Sequence, residues 1–177
     1  FDQNNAWRTH KTIYGLDWEN LSPGDELRHV FDQHRDLTWL RYRRENLGSF
    51  ADAADWSLSR HVQTEKRDRV KADGSRDVQA FDVETWGASL QFESDTPAGL
   101  WVYGADYYRD GVDSYTDKFR PDGSFDKRDI QGAVADNAVY ESLGLFVENT
   151  FRLFDGILDL IPGLRYTACR ADADKVK

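Results

Sequence analysis

The sequence predicts an all-β chain: an antiparallel up-and-down meander of about six long strands, one face of which is made for lipid. Three observations carry that expectation. First, Trp86, Ala88, Leu90 and Phe92 alternate with Gly87, Ser89, Gln91 and Glu93; after the turn composition Ser94-Asp95-Thr96-Pro97-Ala98-Gly99, Trp101, Tyr103, Ala105 and Tyr107 alternate with Val102, Gly104, Asp106 and Tyr108. Period-two alternation of that length is a long hairpin with one apolar and one polar face. Second, the connections alternate: 46–53, 94–99 and 150–156 are short, whereas 68–75 and 113–137 are charged and carry Asp-Gly. In a meander the first set lies at one rim and the second at the other. Third, the apolar stripe stops partway, because Glu84 and Asp82 continue the face of Trp86. A bilayer of finite thickness imposes such an edge.

The elements follow in order. Residues 1–36 read as largely loop, with a turn at Ser22-Pro23-Gly24-Asp25 and a short helical turn near Asp25–Phe31. Strands occupy 37–170. Thr38, Leu40 and Tyr42 alternate with Trp39, Arg41 and Arg43 to about Glu45, and a second strand runs from Asp55 to about Arg67. Ala72-Asp73-Gly74-Ser75 reverses the chain, with glycine supplying positive φ. The third strand runs from Arg76 to Glu93 and the fourth to about Val112; residues 113–137 read as a long loop containing Pro121-Asp122-Gly123-Ser124. Val139–Asn149 is the fifth strand and Ile157–Arg170 the sixth. Pro162 removes a ladder donor in that last strand, which predicts a bulge or a locally broken edge.

Composition narrows the function. The 177 residues include 23 basic and 32 acidic side chains, net −9, which argues against nucleic acid as a partner. Aromatics make up 14% of a chain whose mean hydropathy is only −0.73. No run approaches the roughly 18 apolar residues of a membrane helix. A barrel strand, by contrast, needs only about five lipid-facing residues, which hydropathy averages away. Cys169 is the single cysteine, so neither an intrachain disulfide nor a cysteine zinc cluster is expected. The chain starts at Phe1, contains no Met and shows no secretory signal, and so reads as a piece of a longer protein.

Face assignment supplies the candidate residues. The expected lipid-facing set is Trp86, Leu90, Phe92, Trp101, Tyr103, Leu143, Leu145, Val147, Leu160 and Leu164, with Trp56, Trp101 and Tyr103 near the short turns as an interfacial girdle. The expected lumen-facing set is Arg41, Arg43, Asp106, Tyr108, Glu148 and Arg165, too polar for a packed core. His29 and His34 flank a short segment where haem-type iron could be ligated, against the plainer reading of solvent-exposed loop histidines. Tyr115 and Phe119 are candidate substrate contacts in the 113–137 loop. Asp122, Asp126 and Asp129 lack the glycine and glutamate spacing of a calcium loop, and the turn alone explains Asp122-Gly123. No metal and no cofactor are expected. No carboxylate pair, catalytic triad order or phosphate loop stands out, so no enzyme is expected.

The segments also resemble a family. Gly104-Ala105-Asp106-Tyr107-Tyr108-Arg109-Asp110, then Tyr140 through Asn149 followed after a short turn by Leu158 through Tyr166, resemble barrel strands of TonB-dependent outer-membrane receptors. Residues 27–46 and 77–92 are similar in style, so the resemblance covers most of 27–170. It implies a barrel of about 22 strands around a plug, in the outer membrane of a Gram-negative bacterium. This chain, 1–177, would then be an internal fragment of the barrel domain with no plug domain present. It implies as partners outer-membrane lipid, the missing plug and remaining barrel strands, the TonB complex reached through the plug, and a small-molecule cargo such as an iron chelate, cobalamin or a glycan. The alternative is a soluble β-sandwich or β-barrel binding domain, with aromatics as carbohydrate-stacking platforms. The face carrying Trp86, Leu90 and Leu143 separates the two: covered by a second sheet it is soluble, bare it belongs to a barrel wall.

Overall fold

The structure, a computed structural model, describes residues 2–4, 27–48, 51–131 and 135–175. They form one antiparallel sheet: β1 (Asp2–Asn4), β2 (Arg28–Glu45), β3 (Ala53–Val70), β4 (Arg76–Thr96), β5 (Gly99–Phe119), β6 (Phe125–Asp129), β7 (Asp136–Leu153), β8 (Leu158–Leu160) and β9 (Gly163–Lys175). β2, β3, β4 and β5 pair in sequence order. β5 then gives its far edge to β7 along Leu100–Val112 and to β6 along Thr116–Phe119. β7 likewise pairs with β8 at one end and β9 along the rest. The meander is therefore six ribbons wide, as the alternation predicts, with β1 on the outer edge of β2.

The strands are longer than the sequence suggests. β2 begins at Arg28 and not at Leu37, so no helical turn forms from Arg28 to Phe31; residues 5–26, including the expected turn at Ser22–Asp25, lie outside the described residues. The 113–137 segment is not one long loop. β5 continues to Phe119, reverses at Arg120–Ser124 and returns as β6. The connection after β3 is equally tight. Both reversals share one sequence pattern and one geometry. Gly74 and Gly123 sit at φ 80° and 82°, and their N–H groups donate to Lys71 O and Arg120 O at 2.9 Å. Asp73 and Asp122 each accept the N–H two residues on, at 2.8 Å. The rims thus differ less in loop length than in how far the strands run past the apolar stripe.

Pro162 breaks the last ribbon as expected. β8 ends at Leu160, β9 starts at Gly163, and Pro162 O accepts the Asn149 N–H at 3.1 Å across the gap. Among the described residues nothing packs over the sheet: every element touches only its sheet neighbours and the Phe154–Gly156 turn. The buried apolar side chains among them are Ala51, Ala53, Val78 and Ala80, while Trp86, Leu143 and Tyr166 are 44%, 42% and 64% exposed. A water-soluble domain cannot leave such a surface open.

Candidate functional site

The site is the pair of faces this single sheet presents. Strand register places the side chains in straight rows across the ribbons. On one face three consecutive rows are apolar: Leu40, Leu58, Ala88, Tyr107, Leu143, Ala168; then Tyr42, Trp56, Leu90, Ala105, Leu145, Tyr166; then Arg44, Ala54, Phe92, Tyr103, Val147, Leu164. Arg44 is the exception. Trp101 follows on the same face, opposite Ser94 and Asn149, and Leu160 stands opposite Phe151 beyond the Pro162 break. The expected lipid-facing residues therefore share a face, although Leu160 sits apart from the main rows.

The apolar rows end abruptly. The next row is Thr38, Arg60, Trp86, Arg109, Glu141, Arg170, and the one after it Asp36, Val62, Glu84, Gly111, Val139, Asp172. At that boundary Glu84 accepts from Arg60 at 2.6 Å and from the Trp86 indole at 3.0 Å, and Arg60 lies 5.7 Å from the Trp86 ring centre. An arginine stacked on an indole suits the junction between hydrocarbon and water.

The opposite face is polar and ionically tied. Arg41 binds Asp55 bidentately at 2.6 Å, and Arg43 spans Asp55 at 3.3 Å and Glu93 at 2.9 Å. Ser57 and Ser89 share a hydrogen bond at 2.6 Å, and Arg165 grips Asp106 with both terminal nitrogens at 2.8 Å. Tyr108 and Glu148 lie on this face too, opposite Gly87 and Gly163. All six expected lumen residues fall together.

Three glycines make room for the large side chains among them. A Cβ on Gly87 would meet the Tyr108 ring and Ser59 Oγ at 2.7 Å; one on Gly104 would strike the Leu90 carbonyl oxygen and the Phe146 ring; one on Gly144 would strike the Arg165 guanidinium and Asp106. Tyr108, Phe146 and Arg165 each come from the strand that follows in the sheet, so three successive seams repeat one device. Sequence reading missed it. The signal was there as a glycine at the polar-face position of β4, β5 and β7.

Beyond the boundary row the ribbons continue to the far rim. Asp68 is pushed up by burial but held below the usual carboxylate range by Arg76 at 2.8 Å and Arg28 at 3.3 Å. Asp117 is lowered by the Arg128 fork at 2.6 and 2.7 Å, and Asp129 by Lys127 and Lys118 at 2.9 and 3.3 Å. Asp73 and Asp122 are lowered by Ser75 and Ser124 in the two turns. The turns also touch: a Cβ on Gly74 would lie 3.5 Å from Pro121 Cβ.

The histidines do not converge. His29 pairs with Arg69 and His34 with Thr64, five positions apart on one strand and hence on opposite faces. His29 stacks near Phe31 at 5.1 Å, and His34 binds Asp36 at 2.9 Å. They cannot ligate one iron together. Tyr115 and Phe119 lie on the apolar-row face, 4.6 Å from Arg128 and 5.5 Å from Arg76. Asp126 pairs with Arg120, and the described residues hold no group of three potential metal-ligating side chains.

A family model described as TonB dependent receptor-like, beta-barrel, matches residues 1–176. No curated protein and no solved structure matches.

Proposed function

The chain belongs to the TonB-dependent receptor-like β-barrel family, a family of outer-membrane transport and not of enzymes, and from that premise we propose that it forms part of the wall of a channel importing a scarce nutrient. The cargo class is an iron chelate, cobalamin or a glycan. The partners are outer-membrane lipid on the apolar rows, and a plug and the other barrel strands against the rest of the sheet. TonB in the cell envelope of a Gram-negative bacterium supplies energy through that plug.

The observation that carries this reading is the pair of unlike faces on an uncovered sheet. Strands of 18 to 21 residues support it as well, since roughly 9–11 tilted residues suffice to cross a bilayer. The remainder projects from the membrane at the far rim and builds the vestibule. On the polar face there, His29 is the candidate on the cargo side, whereas His34, Tyr115 and Phe119 lie on the face of the apolar rows. The ion-paired lower wall, Arg41 to Glu93 and Asp106 to Arg165, lines the space the plug fills.

The test is uptake. Cells expressing the complete receptor, with and without functional TonB, are offered labelled iron chelates, cobalamin and oligosaccharides. One compound should enter only when receptor and TonB are both present. Entry that persists at full rate without TonB would overturn the proposal.

A further inference from the structure

The polar face carries a block of positive charge at its far rim. Two adjacent rows form it. One runs His29, Arg69, Asp77, Lys118, Lys127 from β2 to β6, and the next runs Phe31, Arg67, Gln79, Thr116, Asp129. Lys71 joins them from the adjoining turn, 3.9 Å from Asp77. Five cations thus gather around two carboxylates, in a chain whose net charge is −9.

The carboxylates sit beneath the cations. Asp77 is buried, and takes Arg67 at 3.3 Å and Arg69 at 2.5 Å. Asp129 takes Lys118 at 3.3 Å and Lys127 at 2.9 Å on the same oxygen, Oδ2. The lysines remain open, with Lys71, Lys118 and Lys127 48%, 42% and 55% exposed. A solute approaching this wall therefore meets ammonium groups first. Lys118 and Lys127 are also direct cross-strand partners, and like charges placed so destabilise a sheet. The interleaved rows of the outer face lie closer to balance, with Arg28, Lys66, Arg76 and Arg128 against Asp32, Asp68 and Asp117.

The strip is small. Strands about 4.8 Å apart put Arg69 and Lys127 about 14 Å from each other across three seams, and two rows are about 7 Å deep. That is room for one compact solute. His29 and Phe31, with ring centres 5.1 Å apart, close one end of it. An uncharged glycan or cobalamin offers ammonium groups little to bind. An iron chelate with carboxylate or phenolate oxygens turned outward has both the charge and the size, and charged acceptors make the stronger hydrogen bonds. We propose that this strip captures an iron chelate of net negative charge, its outward oxygens on Lys71, Lys118 and Lys127.

The proposal rests on the import reading, and the experiment keeps the two apart. The complete receptor is purified in detergent and titrated with a trianionic tris-catecholate iron(III) complex, a neutral tris-hydroxamate iron(III) complex, cyanocobalamin and an acidic oligogalacturonate. The same probes, labelled, are offered to cells with and without functional TonB. The trianionic complex should bind best, and more weakly as added salt screens the lysines. Lys118→Gln/Lys127→Gln should weaken it about 10- to 100-fold, the loss of one charge-assisted contact, and leave the neutral complex unaffected. Lys66→Gln, on the outer face at the same height, should change neither. Equal binding of the two iron complexes, tighter binding of the oligogalacturonate, or an equal loss in Lys66→Gln would overturn the inference. Preferred TonB-dependent uptake of cyanocobalamin or of the neutral complex would overturn it too, with the import reading intact. Entry of a tightly bound trianionic complex at full rate without TonB would instead overturn the import reading and leave the strip assigned. The wild-type comparison of the two iron complexes stands even if the double variant fails to fold.

Discussion

Leu90→Arg puts the face assignment at risk most directly. Leu90 occupies the middle apolar row between Trp56 and Ala105, with the boundary residue Trp86 four positions away on one side and Ser94 four away on the other. At about 3.3 Å per residue and a tilt near 45°, each end lies roughly 9 Å off along the membrane normal. A guanidinium at that depth costs about 2–4 kcal/mol, equivalent to roughly 30- to 1,000-fold in the folding equilibrium. Ser89→Arg, one residue away on the polar face, loses only the Ser57 hydrogen bond, about 1 kcal/mol. Ser94→Arg shares the face of Leu90 but lies beside the turn, where the cost falls to about 0–1 kcal/mol. Equilibrium unfolding of the full-length protein in phospholipid vesicles reads all three. If Ser89→Arg costs as much as Leu90→Arg, or if the penalty does not fall toward Ser94, the lipid-facing argument fails.

Other consequences can be measured in the same way. Gly104→Ala drives a methyl group into the Leu90 carbonyl oxygen and should cost about 1–3 kcal/mol. Gly144→Ala meets a movable guanidinium, should cost less, and should couple non-additively to Arg165→Ala in a double-mutant cycle. Asn149 is 2% exposed, and its amide donates to Ala98 O at 3.3 Å, tying β7 to the β4–β5 turn; Asn149→Ala should cost about 1 kcal/mol and raise proteolysis at 94–99. Asp117 has its carboxyl depressed by Arg128. Its stabilisation is therefore fully present above the unfolded value near 3.9 and is lost as pH falls through the lower folded value. With the intrinsic exchange rate divided out, protection along 125–129 should fall as the pH drops below about 4, and Asp117→Asn should weaken that dependence to the part carried by Asp129 and its lysines. Protection in 125–129 that ignores pH in the unaltered protein would exclude the Asp117–Arg128 clasp as a support of β6.

What the sequence made readable follows from where apolar residues alternate. Between Trp86 and Tyr108 the two-residue period fixed both faces and the turn, and Pro162 announced its break. Outside the apolar rows the same logic has nothing to act on. Asp32 to Asp36 and Asp126 to Asp129 are polar on both faces, so the backbone ladder and cross-strand pairs such as Gln33 with Glu65 and Arg128 with Asp117 hold them as strands. That is why β2 runs further than expected and why β6 read as loop. The two histidines part for a related reason: they are near in sequence, but an odd spacing on a strand sends the two rings to opposite faces. The boundary arginines escaped notice because their common row exists only once register is known.

The glycine seams bear on how such a wall assembles. Sliding one strand by a single residue turns oil toward water and is rejected at once, whereas sliding it by two keeps every side chain on its proper side. Face polarity is blind to that second error. A bulky ring or guanidinium that must drop into the one vacant spot on its neighbour is not. Gly87 with Tyr108, Gly104 with Phe146 and Gly144 with Arg165 therefore act as checks on alignment at three neighbouring seams.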